Sequence, residues 1–413
     1  MISYDKFVLD NGLRVIHHYE PDSSMCVLNT LYNVGARDED PEKTGFAHLF
    51  EHLMFGGSIN ISNFDGELQL AGGVNNAFTS NDITNYYNVI PVCNAETAFW
   101  LESDRMLQLD FSQKSLDVQK SVVIEEYKQR YLNQPYGNIW HLIRKEAYKV
   151  HPYAWPTIGK EIKHIEDATL EYVKDFFNRF YNPSNAILCV AGGLSLEETK
   201  KLVNKWFAPI KAGPINKNIY PKEPEQKEMR RISVTEDVPK DSIYMCFKMC
   251  DRLHEDYYAT DVLSDLLGQS ESSFLHLELV KKEAIFTKIS AFVMGSTNDG
   301  LIVINGMPND GISLEEAEQK IWEKLKYFKS NYLDNSKLKR AINKIKTSHG
   351  FSMIETLEKA MNLCFSENYG DIEITNNTID EYEKIRLFKL NKLANSLLKK
   401  EKSTILHYYA KEK

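Results

Sequence analysis

TGFAHLFEHLMFGGS, residues 44–58, is the stretch around which the rest of the chain is organised. Within it His48, Glu51 and His52 spell H-x-x-E-H, the inverse of the H-E-x-x-H order found at zinc sites. Thr44 is an acceptable N-cap, no proline interrupts, and Gly56-Gly57 supplies a stop, so the segment reads as helix. Four residues make about one turn, which puts both imidazoles on one side, ~5–6 Å apart at Cβ. Two nitrogens at that separation can reach one metal ion. Glu51 falls in the same turn but offset, which suits a group working beside a metal rather than on it.

Taken alone, five letters also describe a solvated helix face carrying two satisfied histidines. Leu49, Phe50, Leu53, Met54 and Phe55 argue otherwise, because they make the helix largely apolar. Buried imidazoles and a buried carboxylate need partners, and a metal is an efficient one. A catalytic zinc takes three protein ligands and leaves one position open. A third ligand must therefore come from elsewhere, and SVVIEEYKQRY (121–131) is the best source, with Val122 and Val123 expected to face the core. Glu125 and Glu126 point about 100° apart on a helix, so only one can face the histidines. Helical geometry leaves the choice between them open.

Composition narrows the function. A chain of 413 residues with 43% hydrophobic and 26% charged residues is long enough for two or three domains, each with a full core. The net charge of −8, without any basic block, argues against nucleic acid as the main partner. No apolar run is long enough to span a membrane, and MISYDKFVLDNG enters a hairpin signal rather than a secretory leader. The six cysteines are scattered, as expected for reduced thiols in a cytoplasmic protein, with the periplasm left open.

Strands are expected at 6–9 and 13–18, around Asp10-Asn11-Gly12, and at 26–34, 75–79, 84–90 and 186–191. Helices are expected at 63–71, 95–109, 115–132, 138–149, 167–180 and 196–207. From Ala208 the composition shifts to APIKAGPINKNIYPKEPEQKE, rich in proline and charge, which reads as a linker. The expected division is a metal-bearing domain at 1–212, a linker at 213–228 and a second domain at 229–413. The fold class is α+β, each domain a mixed or antiparallel sheet packed with helices. The second half echoes the first: Asn81-Asp82, Asn88 and Pro91 recur at a constant offset as Asn298-Asp299, Asn305 and Pro308, and Gly56-Gly57-Ser58 answers to Gly268-Gln269-Ser270. Thr260, Leu263 and Ser264 then stand where His48, Glu51 and His52 do, which makes the second domain a copy without a metal site.

Three blocks in order, HLFEH (48–52), AGGVNNAFTSNDITNYY (71–87) and VVIEEYKQRYLNQPYG (122–137), resemble the pitrilysin/insulinase family of zinc endopeptidases. The resemblance implies two related domains arranged as a clamshell, one zinc ion per chain, and peptide substrates that are short and unstructured. It implies Glu126 as the third ligand with His48 and His52, and Glu51 as general base. It places substrate-backbone contacts at Asn76, Ala77, Phe78 and Thr79, on a strand edge able to pair with an extended peptide. Two departures stand out. Gln119 occupies a place where many relatives carry a glutamate; its amide can orient a ligand but adds no charge. In LVKKEAIFT (279–287), Val280 and Thr287 replace an arginine and a tyrosine that hold the substrate carbonyl in relatives. The chain is therefore expected to be the metal-bearing subunit of a two-subunit enzyme, paired with an Arg/Tyr-bearing homologue, or a homodimer. The alternatives are a non-catalytic structural or assembly subunit and a dedicated maturase of one peptide precursor.

Overall fold

The hairpin signalled by Asp10-Asn11-Gly12 forms, with β1 (Asp5–Val8) antiparallel to β2 (Arg14–Tyr19) and Gly12 at φ +87°, a left-handed turn position open to glycine without steric cost. The structure, a computed structural model, describes residues 1–411. β3 (Met25–Tyr32), β4 (Val74–Thr79), β5 (Thr84–Pro91) and β6 (Ala186–Gly192) complete a six-stranded sheet ordered β1-β2-β6-β3-β5-β4. A five-stranded sheet, ordered β7-β11-β8-β10-β9, contains β7 (Arg230–Glu236), β8 (Ser242–Met249), β9 (Phe286–Met294), β10 (Gly300–Pro308) and β11 (Ser403–Ala410).

Strand order makes the internal duplication explicit. β7, β11, β8, β10 and β9 stand in the second sheet as β2, β6, β3, β5 and β4 do in the first, and β2–β6 and β7–β11 are both parallel. The echoed letters fall in equivalent places: Asn88 and Pro91 lie on β5, Asn305 and Pro308 on β10. The N-terminal half also carries helices α1 (Phe46–Leu53), α2 (Phe64–Leu70), α3 (Ala95–Leu107) and α4 (Gln113–Tyr127). Helix Tyr257–Gly268 is the counterpart of α1; there the hydroxyls of Thr260 and Ser264 turn back onto their own helix, at Asp256 O and Asp261 O.

Two compact units result, and neither is a continuous stretch. The first comprises 1–130, 155–220 and 350–377; the second takes 131–154, 221–349 and the chain from 378 onward. Side-chain alternation along the strands explains the interleaving, since a sheet buried on both faces needs a cover on each. In the second unit Ile243, Met245 and Phe247 face helices of the C-terminal half, while Cys246, Leu301, Val303 and Leu406 face helix Ile139–Ala147. In the first, Ile16, Val27, Leu31, Ile187 and Cys189 pack against Ala360, Leu363 and Cys364 of helix Thr356–Asn368. One helix from each half of the sequence thus covers the other half's sheet. Among the described residues no helix is long and apolar enough to cross a membrane, and all six cysteines are free.

The proline-rich segment carries no helix or strand, yet it is pinned at both ends. Asn216, Asn218 and Tyr220 all donate to Asp38 Oδ1, at 2.6, 2.9 and 2.6 Å. Further on, the buried Glu223 carboxylate accepts the backbone N–H groups of Lys149, Val150 and His151 and pairs with Lys248 at 3.0 Å. Burial pushes its pKa up, but these donors outweigh that and hold it at about 2. A carboxylate depressed on folding stabilises above its unfolded pKa and loses that contribution as the pH falls. Glu223→Gln is therefore expected to cost about 1–3 kcal/mol at neutral pH. In denaturant titrations across pH, its deficit relative to the parent protein should shrink as the pH falls from 4.5 toward 2.

Candidate metal centre

α1 enters from Gly45, at φ +91°, a conformation that a side chain would strain. Thr44 is not the cap: its hydroxyl accepts Lys160 N at 2.8 Å and contacts His164 Nδ1 at 2.8 Å. The free N–H groups at the helix start go instead to Glu39, whose buried carboxylate takes Gly45 N and Ala47 N, both at 2.9 Å, and Trp155 Nε1 at 3.1 Å. The Glu39 oxygens satisfy N–H groups that a helix start leaves without partners. Burial raises the Glu39 pKa to about 8, so it serves as a hydrogen-bond acceptor rather than as a charge against the helix dipole. Leu49, Phe50 and Leu53 are buried, with Phe50 stacked on Phe176 at 5.1 Å and on Tyr181 at 4.9 Å. That anchored face leaves His48, Glu51 and His52 on the other side.

α4 is capped by Ser112, whose side chain accepts Ser115 N. Of the two valines expected to face the core, only Val123 does; Val122 is 44% exposed, because adjacent helical positions diverge. The same divergence separates the glutamates. Glu125 accepts from the Gln129 amide at 3.3 Å, among exposed groups. Glu126 Oε2 lies 3.3 Å from His52 Nε2 and 3.6 Å from His48 Nε2. The three potential ligand atoms fall within 4.8 Å of one another, and among the described residues no other three His, Cys, Asp or Glu gather so. Gln119, two turns earlier on α4, sits against the end of α1, where a Cβ on Gly56 would come 3.1 Å from its Nε2.

Two imidazole nitrogens and one carboxylate oxygen form a donor set that suits zinc. Burial, acting first, holds the His48 pKa well below its ordinary value and keeps the ring neutral, as a metal ligand must be. Its Nδ1 is buried without a hydrogen-bond partner. The Glu126 carboxyl is held below the usual range, principally by His52. Glu51 does not join the three; it accepts the Thr79 hydroxyl at 2.6 Å, and burial raises its pKa.

Thr79 ends β4, the outer strand of its sheet, so the block Asn76–Thr79 lies beside Glu51. Asn76 is exposed and its Oδ1 accepts Ala77 N; Phe78 packs edge-on against Phe365 at 6.3 Å. In the second unit Val280 packs against the apolar core, and the Thr287 hydroxyl donates to Asn309 Oδ1 at 2.8 Å. Sequence reasoning missed three contacts here: Thr79 to Glu51, Glu39 to the start of α1, and Arg130 to Glu126 at 2.8 Å. The Glu126/Arg130 pair alone had a local signal, opposite charges four apart on a helix. Replacing Glu39 by Ala strands two buried backbone donors, Gly45 N and Ala47 N, while Trp155 Nε1 keeps the Ala36 carbonyl, and is expected to cost about 2 kcal/mol. An unchanged denaturant midpoint would remove the role assigned to it.

Comparison with known proteins is consistent along the chain. Residues 14–161 match the model described as Insulinase (Peptidase family M16), and 167–345 match Peptidase M16 inactive domain. Zinc protease PqqE of Helicobacter pylori is 29% identical over 416 residues, spanning 97% of this chain and 91% of that protein. The beta subunit of the mitochondrial-processing peptidase of Caenorhabditis elegans is 24% identical, over 63% of this chain and 56% of its own length. A crystal structure of a protease from Helicobacter pylori superimposes with a TM-score of 0.92 at 27% identity, covering 99% of this chain and 100% of that one.

Proposed function

This chain belongs to the insulinase family of peptidases, family M16, and from that membership we propose that it is a zinc-dependent metalloendopeptidase cleaving short, unstructured peptides. One observation carries the reading: His48, His52 and Glu126, from two separate helices, converge with Glu51 beside them. His48, His52 and Glu126 hold the ion. When bound, zinc supplies a Lewis acid that polarises a carbonyl and brings the pKa of water down to about 7. Glu51 takes the proton of the attacking water and returns it to the leaving amine. Its burial raises its proton affinity, and the Thr79 hydroxyl fixes its carboxylate. The free edge of β4, with Asn76, Ala77, Phe78 and Thr79, pairs with the extended substrate through main-chain hydrogen bonds. The six free cysteines fit a reducing compartment such as the cytoplasm.

The chain acts as the metal-bearing subunit of a pair. Val280 and Thr287 offer no arginine or tyrosine to a substrate carbonyl, and a related processing peptidase is named as a subunit. Those two positions also favour the second reading, a structural or assembly subunit; the intact quartet His48, Glu51, His52 and Glu126 favours catalysis. Elemental analysis of the purified chain is expected to find one zinc per chain, lost in His48→Ala. Glu51→Gln should keep the metal while turnover falls by about 10²-fold or more. Turnover should require a homologous partner bearing the Arg/Tyr pair. Robust peptide cleavage by this chain alone overturns the subunit assignment, and activity surviving Glu51→Gln overturns the general base.

A further inference from the structure

The two oxygens of Glu126 face different neighbours. Oε2 is directed at His52 and His48, at 3.3 and 3.6 Å, while Oε1 is held by Arg130 Nη1 at 2.8 Å. Arg130 lies just beyond α4, where the helix widens into a π-helical turn over Lys128–Leu132, a geometry frequent at functional sites. Its side chain is 69% exposed, against 18% for Glu126. An ion pair that exposed contributes little to folding, so stability alone gives little reason for it.

A carboxylate with both oxygens free can ligate a divalent ion through one of them or through both. Ligation through both adds a fourth protein atom to two imidazole nitrogens, so that with a water bound the ion would be five-coordinate rather than in the four-coordinate arrangement of a catalytic zinc. We infer that Arg130 is a positioning residue that confines Glu126 to ligation through Oε2, so that the chain contributes three single atoms and leaves the remaining position to the reaction. The guanidinium suits this, because it is always charged and presents its donors in a fixed fork. A lysine supplies the charge without the fork and substitutes only in part. This inference rests on the metal-site reading above, and the test separates the two.

The full-length chain is loaded with Co²⁺ alone, whose visible absorption is intense at four-coordinate sites and weaker as coordination rises. The wild-type chain should bind one Co²⁺ with an intense spectrum. Arg130→Met should bind it with equal stoichiometry but a weakened band, and Arg130→Lys should fall between. With zinc and the partner subunit, Arg130→Met should lower kcat about tenfold or more, in the range seen when groups that orient metal ligands are removed. A Co²⁺ spectrum in Arg130→Met identical to wild type overturns the inference and leaves the metal site standing. Failure of the wild-type chain to take up Co²⁺ overturns the metal site, and the inference with it.

Discussion

The stacking of Phe50 on Phe176 and Tyr181 is the constraint from which the site follows. α1 has only eight residues, too few to be stable without tertiary support. Its apolar face supplies that support, and with Leu49, Phe50 and Leu53 buried, the helix can present only His48, Glu51 and His52 on its other side. Glu39 and Trp155 add to this by tying down the first turn, the one that bears His48. Imidazole placement is therefore set by aromatic packing on the far side of the helix rather than by the histidines themselves.

The duplicated half shows what happens without that division into two faces. Helix Tyr257–Gly268 occupies the same place in the same strand order, but it is buried almost all round, from Ala259 and Thr260 through Gly268. Leu263 stands where Glu51 does and joins the core. Its polar groups are taken up within the fold, Asp261 by Tyr382 and Asp265 by Lys344, so the enclosed helix has no open face to offer an ion. The two halves share an architecture and differ in which surface of one helix is filled.

The interleaving of the units follows from the same need for cover. Each central sheet is apolar on both faces, and on each sheet one face is closed by a helix from the other half of the sequence, Thr356–Asn368 in the first unit and Ile139–Ala147 in the second. Cores assembled this way are completed only when both ends of the chain have been made. The proline-rich segment between the halves is correspondingly not slack, since Asp38 and Glu223 fasten it to the chain on either side.

Much of this was legible in the residues. The hairpin at Asp10-Asn11-Gly12, the paired strands around 74–91, the helix bearing H-x-x-E-H and the faint echo between the halves each arise from local pattern, and local pattern is short-ranged physics that a sequence states directly. Helical geometry narrowed the third ligand to two adjacent glutamates and could go no further. Which of them meets the imidazoles depends on how α4 is rotated against α1, and burial of Val123 rather than Val122 decides that rotation. Glu39 at the helix start, Thr79 on Glu51, and the exchange of covering helices were likewise invisible, because each joins residues that only packing brings together. The sequence by itself determined which groups could do metal chemistry; the tertiary structure decided which of them share a point in space, since their separation is set by contacts between elements rather than along the chain.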